Sequence, residues 1–472
     1  MARKHLALFL ASALPLAGCS VGPDYHPKAA TELGVPDSYS VAANQQTQED
    51  LTRWWGKFDD PMLGQLVDQG RAANLDVAQA VTRLRQARES LAQSRSSLLP
   101  QITASAGYSR NLTIAGVNLG GQNDNFSIGA DASYQADLFG GVRRGIEASS
   151  AAYQASGFDY ASVLISVESE IARNYVLARL AQQQLANARD SLAIQDDNLE
   201  IAGFRVQAGL VSSLDAEQAR AARAQTAASI PSIEASYNSF VSRLGVLTGQ
   251  APGALKTQME AVRPIPIGPA TVATGIPAET LRQRPDVRRA ERSLAAATAQ
   301  IGVAQAQLYP ALSIGGSFGS GGGAIGNLFD AITGRLFAGI AATIFDGGRL
   351  HSQVRSSQAA ADGAFLAYKQ TVLTGLEDVE NAIVALDAAQ QRARQFAIAY
   401  EASNNSAILA RMQYRSGLTD FTTLNQAESA LLSARNGLSQ AQADQATALI
   451  QLYLALGGGW DSNSIPEAPH GQ

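Results

Sequence analysis

The sequence predicts a mainly helical α+β fold made of two copies of one unit, in which a strand pair is followed by two long helices. Three observations predict it. The same landmarks recur in the same order in both halves of the chain. Segments with alternating apolar and polar residues follow the first helix of each half. Long segments with leucines seven residues apart come next, a spacing typical of helices that pack in coiled coils.

The chain begins with a segment that is typical of a secretory signal. A basic start precedes the apolar run LALFLASALPLAG, which is short for a membrane-spanning helix. LAGC at 16–19 then resembles the lipobox of bacterial lipoproteins, in which the cysteine is acylated. We therefore predict a signal peptide at 1–18 and lipidation, including palmitate, at Cys19, the only cysteine of the chain. Ser20 stands where inner-membrane lipoproteins typically carry Asp, so sorting to the outer membrane is expected.

The remaining sequence is a tandem duplication. NLDVAQA at 74–80 matches RPDVRRA at 284–290, and the landmarks recur at offsets of 207 to 210 residues. The predicted segments are a lipidated N-terminal and equatorial segment at 19–60, a first repeat at 61–250, a Pro/Gly-rich connector at 251–276, a second repeat at 277–457 and a C-terminal tail at 458–472.

Each repeat is predicted to start with a helix and to continue with two strands. Asp60 and Pro61 have the pattern of an N-cap and a first-turn proline, and the helices are expected to end near Pro100 and Pro310. Alternation, as in NFSIGADASYQADLF, predicts strands at about 101–111, 125–139, 311–319 and 336–346. This period suits a membrane strand of about 10 residues. It suits a soluble hairpin with one buried face equally well.

The segments after the strands predict helices far longer than the globular average. They are placed at about 144–205, 212–247, 350–414 and 420–455. At 1.5 Å per residue, the longest would span about 90 Å. Short Gly-Leu turns separate the helices of each pair, so each pair is expected to form an antiparallel hairpin.

Four strands in one chain imply an oligomer if the strands cross a membrane. No run of about 18 apolar residues follows Cys19, so no transmembrane helix is expected. A sheet in lipid must close into a barrel, and four strands are too few. Two chains would supply eight strands and a filled interior, whereas three would supply twelve and an open bore.

Several motifs carry a family resemblance over nearly the whole mature chain. They are LAGCSVGPDYHP, RQRPDVRRAE at 282–291, DLFGGVRR at 137–144, FDGGR at 345–349 and the two Gly-Leu turns. Together they resemble the TolC-like outer membrane factors, in the lipoprotein subfamily of NodT-like and OprM-like proteins. The resemblance implies a homotrimer with a 12-stranded transmembrane β-barrel, which is continued by a long α-helical coiled-coil barrel with a mixed equatorial domain.

The resemblance also implies the function and the partners. It predicts the passive exit duct of a tripartite efflux system, lipid-anchored in the cell outer membrane and extending into the periplasm. The partners would be outer-membrane lipid, a periplasmic adaptor (membrane fusion protein) and an inner-membrane RND-type pump. In this family the two hairpin turns form a tip that docks the adaptor, which places the docking surface here at Gly209 and Leu210 and at Gly417 and Leu418. A purely structural role of the glycines as helix caps is the alternative.

The same resemblance places a gate at this tip. It predicts a hydrogen bond between Tyr414 and Asp215 in the closed state, with Arg205 and Arg415 available for charge pairs. Asp420 is expected either to contribute to an acidic ring in the lumen or to cap a helix. For the charged residues, a solvated helix face is the plain alternative. The paired aspartates of some family members are replaced here by Thr423 and Gln426.

Two glycine pairs are expected to turn the chain from strand to long helix. They are Gly140 with Gly141 and Gly347 with Gly348, and each follows a predicted second strand.

Other functional classes find little support in the sequence. The net charge of −5 argues against a nucleic-acid partner. The four histidines are scattered. GGGAIG at 321–326 fits the G-x-G-x-x-G pattern of dinucleotide-binding loops, but the corresponding loop of the first repeat lacks it. No enzyme, metal or cofactor is therefore predicted beyond the lipid on Cys19. A structural periplasmic coiled-coil lipoprotein without channel activity is the main alternative.

Overall fold

The computed structural model describes residues 20–41, 43, 50–110 and 124–461. The predicted signal peptide at 1–18 and the predicted lipidation site Cys19 lie outside the described residues. The chain divides into two compact units. The first comprises Met1–Pro27, Leu84–Ser156 and Arg289–Tyr368, and the second comprises Lys28–Arg83, Gly157–Arg288 and Lys369–Gln472.

The first unit contains an antiparallel sheet of four strands. They are β1 (Gln101–Arg110), β2 (Asp124–Ala136), β3 (Ala311–Gly322) and β4 (Ile332–Ala341), in the order β1-β2-β3-β4. The central pair, β2 and β3, joins strands of different repeats. The duplication therefore yields one continuous sheet, with one strand of each repeat at its outer edge.

The register places the alternating apolar residues of all four strands on one face. Phe126 of β2 lies opposite Tyr108 of β1. Ala130 of β2 lies opposite Ala104 of β1 and Phe318 of β3. Because alternate residues of a strand share a face, the pairing extends this face from edge to edge. The other face carries mainly Gly, Ser, Thr and charged residues.

The last strand is shifted from its predicted range of 336–346. β4 ends at Ala341, which pairs with Ala311 at the start of β3. The residue before β3, Pro310, has no backbone N–H to donate, so the ladder stops there. Ile344, which the alternation placed in the strand, lies beyond it and is 93% exposed. β4 also begins before its predicted start, because β3 is longer than predicted.

The two repeats have long helices of identical length. α3 (Gly141–Gln207) and α8 (Arg349–Arg415) have 67 residues each, and α4 (Ser213–Leu247) and α9 (Phe421–Ala455) have 35 each. Within the second unit the returning helices α4 and α9 pack against each other.

The first helix of each repeat is broken, although the sequence predicted a continuous helix to Pro100 or Pro310. The segments are α1 (Pro61–Ala73) and α2 (Leu75–Ser96) in the first repeat, and α6 (Pro277–Gln283) and α7 (Pro285–Ala306) in the second; a short α5 (Lys256–Met259) lies in the connector. The breaks fall at Asn74 and Arg284, which are equivalent in the duplication. Both residues have extended backbone angles.

The two break residues make equivalent contacts. Nδ2 of Asn74 donates to the carbonyl of Leu247, 2.8 Å away, and Nη1 of Arg284 donates to the carbonyl of Ala455, 3.0 Å away. Leu247 and Ala455 are the last residues of α4 and α9, whose final carbonyls have no partner within the helix. The break therefore supplies a C-terminal cap for the returning helix of each repeat.

The second unit contains the main hydrophobic core. Trp54 stacks on Tyr453, with ring centres 5.5 Å apart, and both are fully buried. Tyr175 of α3 is buried as well, and its hydroxyl donates to Asp60 at 2.6 Å. Asp60 is also the predicted N-cap of α1 and accepts from the backbone N–H of Met62. A single carboxylate therefore caps α1 and connects it to α3.

Candidate functional site

Two helix turns in the second unit hold the predicted docking and gate residues. Gly209 follows α3 and Gly417 follows α8, with φ angles of +70° and +74°. The N–H of Gly209 donates to the carbonyl of Val206, and the next N–H donates to the carbonyl of Arg205. The turn at Gly417 makes the equivalent two bonds. This is the Schellman motif, in which the glycine adopts the left-handed conformation that other residues disfavour.

Each returning helix begins with a side-chain cap at the equivalent position. Oγ of Ser212 accepts from the N–H of Leu214 at 3.2 Å, and the carboxylate of Asp420 accepts from the N–H of Thr423 at 2.8 Å. The bond from Thr423 holds the pKa of Asp420 below its ordinary value. Asp420 thus acts as a helix cap in this structure, while an acidic ring formed by several subunits stays a prediction.

The predicted hydrogen bond between Tyr414 and Asp215 is not formed in this structure. The Tyr414 hydroxyl is buried and has no hydrogen-bond partner among the described residues. The side chain lies in a small apolar cluster with Leu424 and Phe421, whose ring centre is 6.0 Å away. Burial raises the pKa of Tyr414. Packing therefore directs this hydroxyl into the hairpin, whereas Asp215 stays partly exposed.

Arg205 contacts Tyr414, a pairing that was not predicted from the sequence. Its Nη2 donates to the carbonyl of Tyr414, and its guanidinium carbon lies 4.4 Å from the centre of the Tyr414 ring. Nη2 also lies 3.5 Å from the carbonyl of Arg415, whose side chain is exposed. The predicted role in charge pairs is replaced by contacts to a backbone carbonyl and a ring, which no residue-type pattern signals.

The leucines that follow the turn glycines are strongly exposed. Leu210 and Leu418 are 73% and 79% exposed. The Schellman bonds use their backbone N–H groups and leave the side chains outside the hairpins. Each turn therefore presents a fixed apolar knob, as the docking prediction requires.

The two strand-to-helix turns in the first unit rely on two aspartates in addition to the predicted glycine pairs. Asp137 accepts from the N–H groups of Val142 and Arg143 at the start of α3. Asp346 accepts from the N–H groups of Gly348 and Leu350 at the start of α8. Asp137 lies in the motif DLFGG and Asp346 in FDGG, four and three residues before the helices begin. Carboxylates near a helix N-terminus are favourable there, so each motif carried a recognisable capping signal.

The turn glycines differ between the repeats. Gly140, Gly347 and Gly348 have positive φ angles, as a sharp turn demands. Gly141 is instead the first residue of α3, and a Cβ added there would lie 2.9 Å from the Cβ of Ala306. The prediction that Gly141 provides the turn between strand and helix is wrong. Its lack of a side chain instead allows close packing on α7.

Among residues 20–41, 43, 50–110 and 124–461, no helix combines the length and the hydropathy needed to cross a membrane.

A sheet with one continuous apolar face and duplicated helical hairpins with exposed leucine knobs define the class of outer-membrane efflux channels. The family model for outer membrane efflux proteins matches residues 66–250 and 276–458, so the chain belongs to that family. The resemblance drawn from the sequence is thereby confirmed. Proteins of this family are passive channels rather than enzymes, which agrees with the prediction from the sequence.

Known proteins resemble the chain over nearly its full length. Nodulation protein T of Rhizobium leguminosarum bv. trifolii is 32% identical over 460 residues, which cover 95% of this chain and 96% of that protein. Pyoverdine export outer membrane protein OpmQ of Pseudomonas aeruginosa is 28% identical and covers 98% of both chains. The solved structure of the outer-membrane channel OprN superposes with a TM-score of 0.84 and 33% identity, covering 94% of this chain and 100% of that one.

Proposed function

We propose that this protein is the outer-membrane exit duct of a tripartite efflux system and conducts its substrates passively to the cell exterior. The observation that carries the proposal is the exposure of the apolar sheet face. Ile102 of β1 is 73% exposed, and Leu336 and Ile340 of β4 are 91% and 72% exposed. Water disfavours an apolar face that continues over four strands, whereas lipid is its natural surrounding.

The proposed duct is a homotrimer, and the edges of the sheet support its closure by several copies of the chain. Among the described residues, β1 and β4 each pair with one neighbouring strand. In lipid, the outer backbone groups of these strands would lack partners, so copies of the chain would have to complete a barrel. Three copies would give twelve strands and a bore, and the many glycines and serines of the second sheet face would suit its lining.

A lipid on Cys19 would anchor each subunit in the outer membrane. Acylation adds membrane affinity in proportion to the buried chain length. Its support is the lipobox-like sequence LAGC. No other covalent group or cofactor is part of the proposal.

The hairpin turns would dock a periplasmic adaptor, which connects the duct to an inner-membrane RND-type pump. Support comes from the paired knobs at Leu210 and Leu418, which are exposed while the turns beneath them are fixed by hydrogen bonds. Exposed apolar anchors on a rigid base are typical of residues that dominate an interface.

Two measurements on the detergent-extracted protein test this function. We expect the native mass of a trimer and stepwise conductance in a planar bilayer. Leu336→Lys should prevent insertion, because a charge on the lipid face is costly. Gly339→Lys is the matched control on the other face of β4, where an added side chain finds open space. A monomer that carbonate extracts and that does not conduct would instead indicate a structural lipoprotein.

A further inference from the structure

The motif VGPDY at 21–25 has no role in the duct, the gate or the docking turns. In the first unit, its residues are held by side chains of two helices, α3 and α7. Segments near a chain terminus are usually loosely held unless specific contacts fix them. The contacts of this motif therefore call for a physical explanation.

Arg144 of α3 binds the motif through most of its guanidinium group. Nε donates to the carbonyl of Val21 at 3.1 Å, and Nη2 donates to the carbonyl of Gly22 at 3.2 Å and to the carboxylate of Asp24 at 2.6 Å. Nη1 donates to Glu147 at 2.7 Å. The side chain is only 6% exposed, so this charge is almost entirely enclosed by its acceptors.

The backbone of the motif packs directly on α7. Gly22 has a φ angle of +100°, and a Cβ added there would lie 2.5 Å from the Cα of Gly302. A Cβ at Gly302 would lie 2.8 Å from the carbonyl oxygen of Val21. Glycine is thus required on both sides of the crossing. At the end of the motif, the hydroxyl of Tyr25 donates to Glu291 of α7 at 3.1 Å.

These contacts bring Ser20 to the first strand-to-helix turn. The N–H of Val21 donates to the carbonyl of Phe139 at 3.1 Å. A Cβ added at Gly140 would lie 2.6 Å from the Cα of Ser20. At Gly347, in the turn of the second repeat, an added Cβ meets no described atom within 4 Å. The described N-terminal segment therefore packs against the first turn at Gly140, whereas the equivalent glycine of the second turn has open surroundings.

We infer that Arg144, Gly302 and the VGPDY motif form a clamp that holds Ser20 against the turn at Gly140 and thereby fixes where the lipid anchor leaves the subunit. The inference rests on the proposed lipidation. The occupant of the clamp is the chain's own segment, in which Ser20 directly follows the predicted lipidation site Cys19. Phe139 stacks on Tyr309 at this turn, with ring centres 4.6 Å apart, and tyrosine is enriched at membrane interfaces.

Cleavage of the N-terminal segment in the intact, acylated protein tests the clamp. Cells are grown with labelled palmitate, and the detergent-extracted protein is treated with chymotrypsin, which cuts after Tyr25. The labelled fragment 19–25 is identified by its mass. We expect slow release from the wild type and release about tenfold faster from Arg144→Gln, because several bonds to a charged group are lost. Arg143→Gln, one residue earlier and 46% exposed, should behave as the wild type.

A milder variant keeps the test decisive if Arg144→Gln fails to fold. Asp24 is 73% exposed, so Asp24→Asn removes the charge from one contact of the clamp without disturbing α3. It should also accelerate release, by a smaller factor. Equal release rates in the wild type and both clamp variants, with the label present, would overturn the clamp. Absence of the label from the wild type and every variant would overturn the lipidation itself. This outcome differs from a failure of the clamp, in which the label is present and only the release rates are equal.

Discussion

Arg205 at the end of the first hairpin's long helix donates a hydrogen bond to the backbone carbonyl of Tyr414 in the second hairpin. Its guanidinium carbon also lies 4.4 Å from the centre of the Tyr414 ring. The same carbonyl accepts the N–H of Gly417 at 3.0 Å, so the contact acts on the turn itself. A charge-assisted bond combined with a cation–π contact is stronger than either alone. Arg205 therefore links the ends of the two hairpins.

Replacement of Arg205 should open the tip. We expect Arg205→Ala to raise the conductance of the protein in a planar bilayer, because the link between the hairpins is lost. Tyr414→Phe should leave the conductance unchanged, since the hydroxyl makes no hydrogen bond in the described structure. Arg415→Ala, with an exposed side chain, is the matched control. A larger effect of Tyr414→Phe than of Arg205→Ala would restore the hydroxyl as the gate contact.

Two glycines of α3 and its turn should respond oppositely to the same substitution. Gly209→Ala should destabilise the turn by about 1–2 kcal/mol, because its φ of +70° is left-handed while its surroundings are open. Gly203→Ala, within the helix and with equally open surroundings, should stabilise it by about 0.5–1 kcal/mol. Hydrogen exchange of peptides that cover the turn measures both changes. Destabilisation by both would indicate a steric cause instead.

Local features of this protein were predictable from the sequence, and long-range ones were not. The positive φ of Gly209 and Gly417 follows from the needs of a helix turn, and the sequence offered capping as one role of Asp420. The end of β4, by contrast, depends on Pro310 in the partner strand. The hydrogen bond predicted for the Tyr414 hydroxyl in the closed state is absent from this structure, where packing between segments far apart in the chain sets its environment. Pro285 was a missed signal, since a proline disfavours the helical conformation of the residue before it, here Arg284.

A buried carboxyl in the second unit should make stability depend on pH. Glu168 of α3 is fully buried, and Nη1 of Arg71 donates to its Oε1, while Oε2 has no hydrogen-bond partner among the described residues. Burial raises the pKa of Glu168 to about 9, and Arg71 opposes this rise only in part. The folded state thus binds the proton more tightly than the unfolded state. The resulting stability is complete below the ordinary pKa of 4.5 and is lost as the pH rises through about 9.

The neutral variant Glu168→Gln distinguishes the effect of the buried charge on stability from the effect of packing. Glu168→Gln should raise the thermal unfolding midpoint relative to the wild type at about pH 8.5, with little change at about pH 5. Glu170→Gln, on the same helix and paired with Arg243 at the surface, should change neither midpoint appreciably. A midpoint lowered equally at both pH values by Glu168→Gln would mean that Arg71 holds the carboxylate in its charged form.

The exposed leucines of the turns should govern binding of the periplasmic adaptor without affecting folding. A leucine buried at an interface contributes about 1.5–3 kcal/mol, so Leu210→Ser or Leu418→Ser should weaken binding about tenfold or more. The unfolding midpoint should stay unchanged, because both side chains are largely exposed in the subunit. Leu409→Ser is the matched control, since this residue of α8 is 58% exposed but lies before the turn. Surface plasmon resonance with the immobilised adaptor measures the affinities. Equal losses for Leu409→Ser and the two turn variants would exclude a docking site at the turns, because the loss would then reflect general surface hydrophobicity.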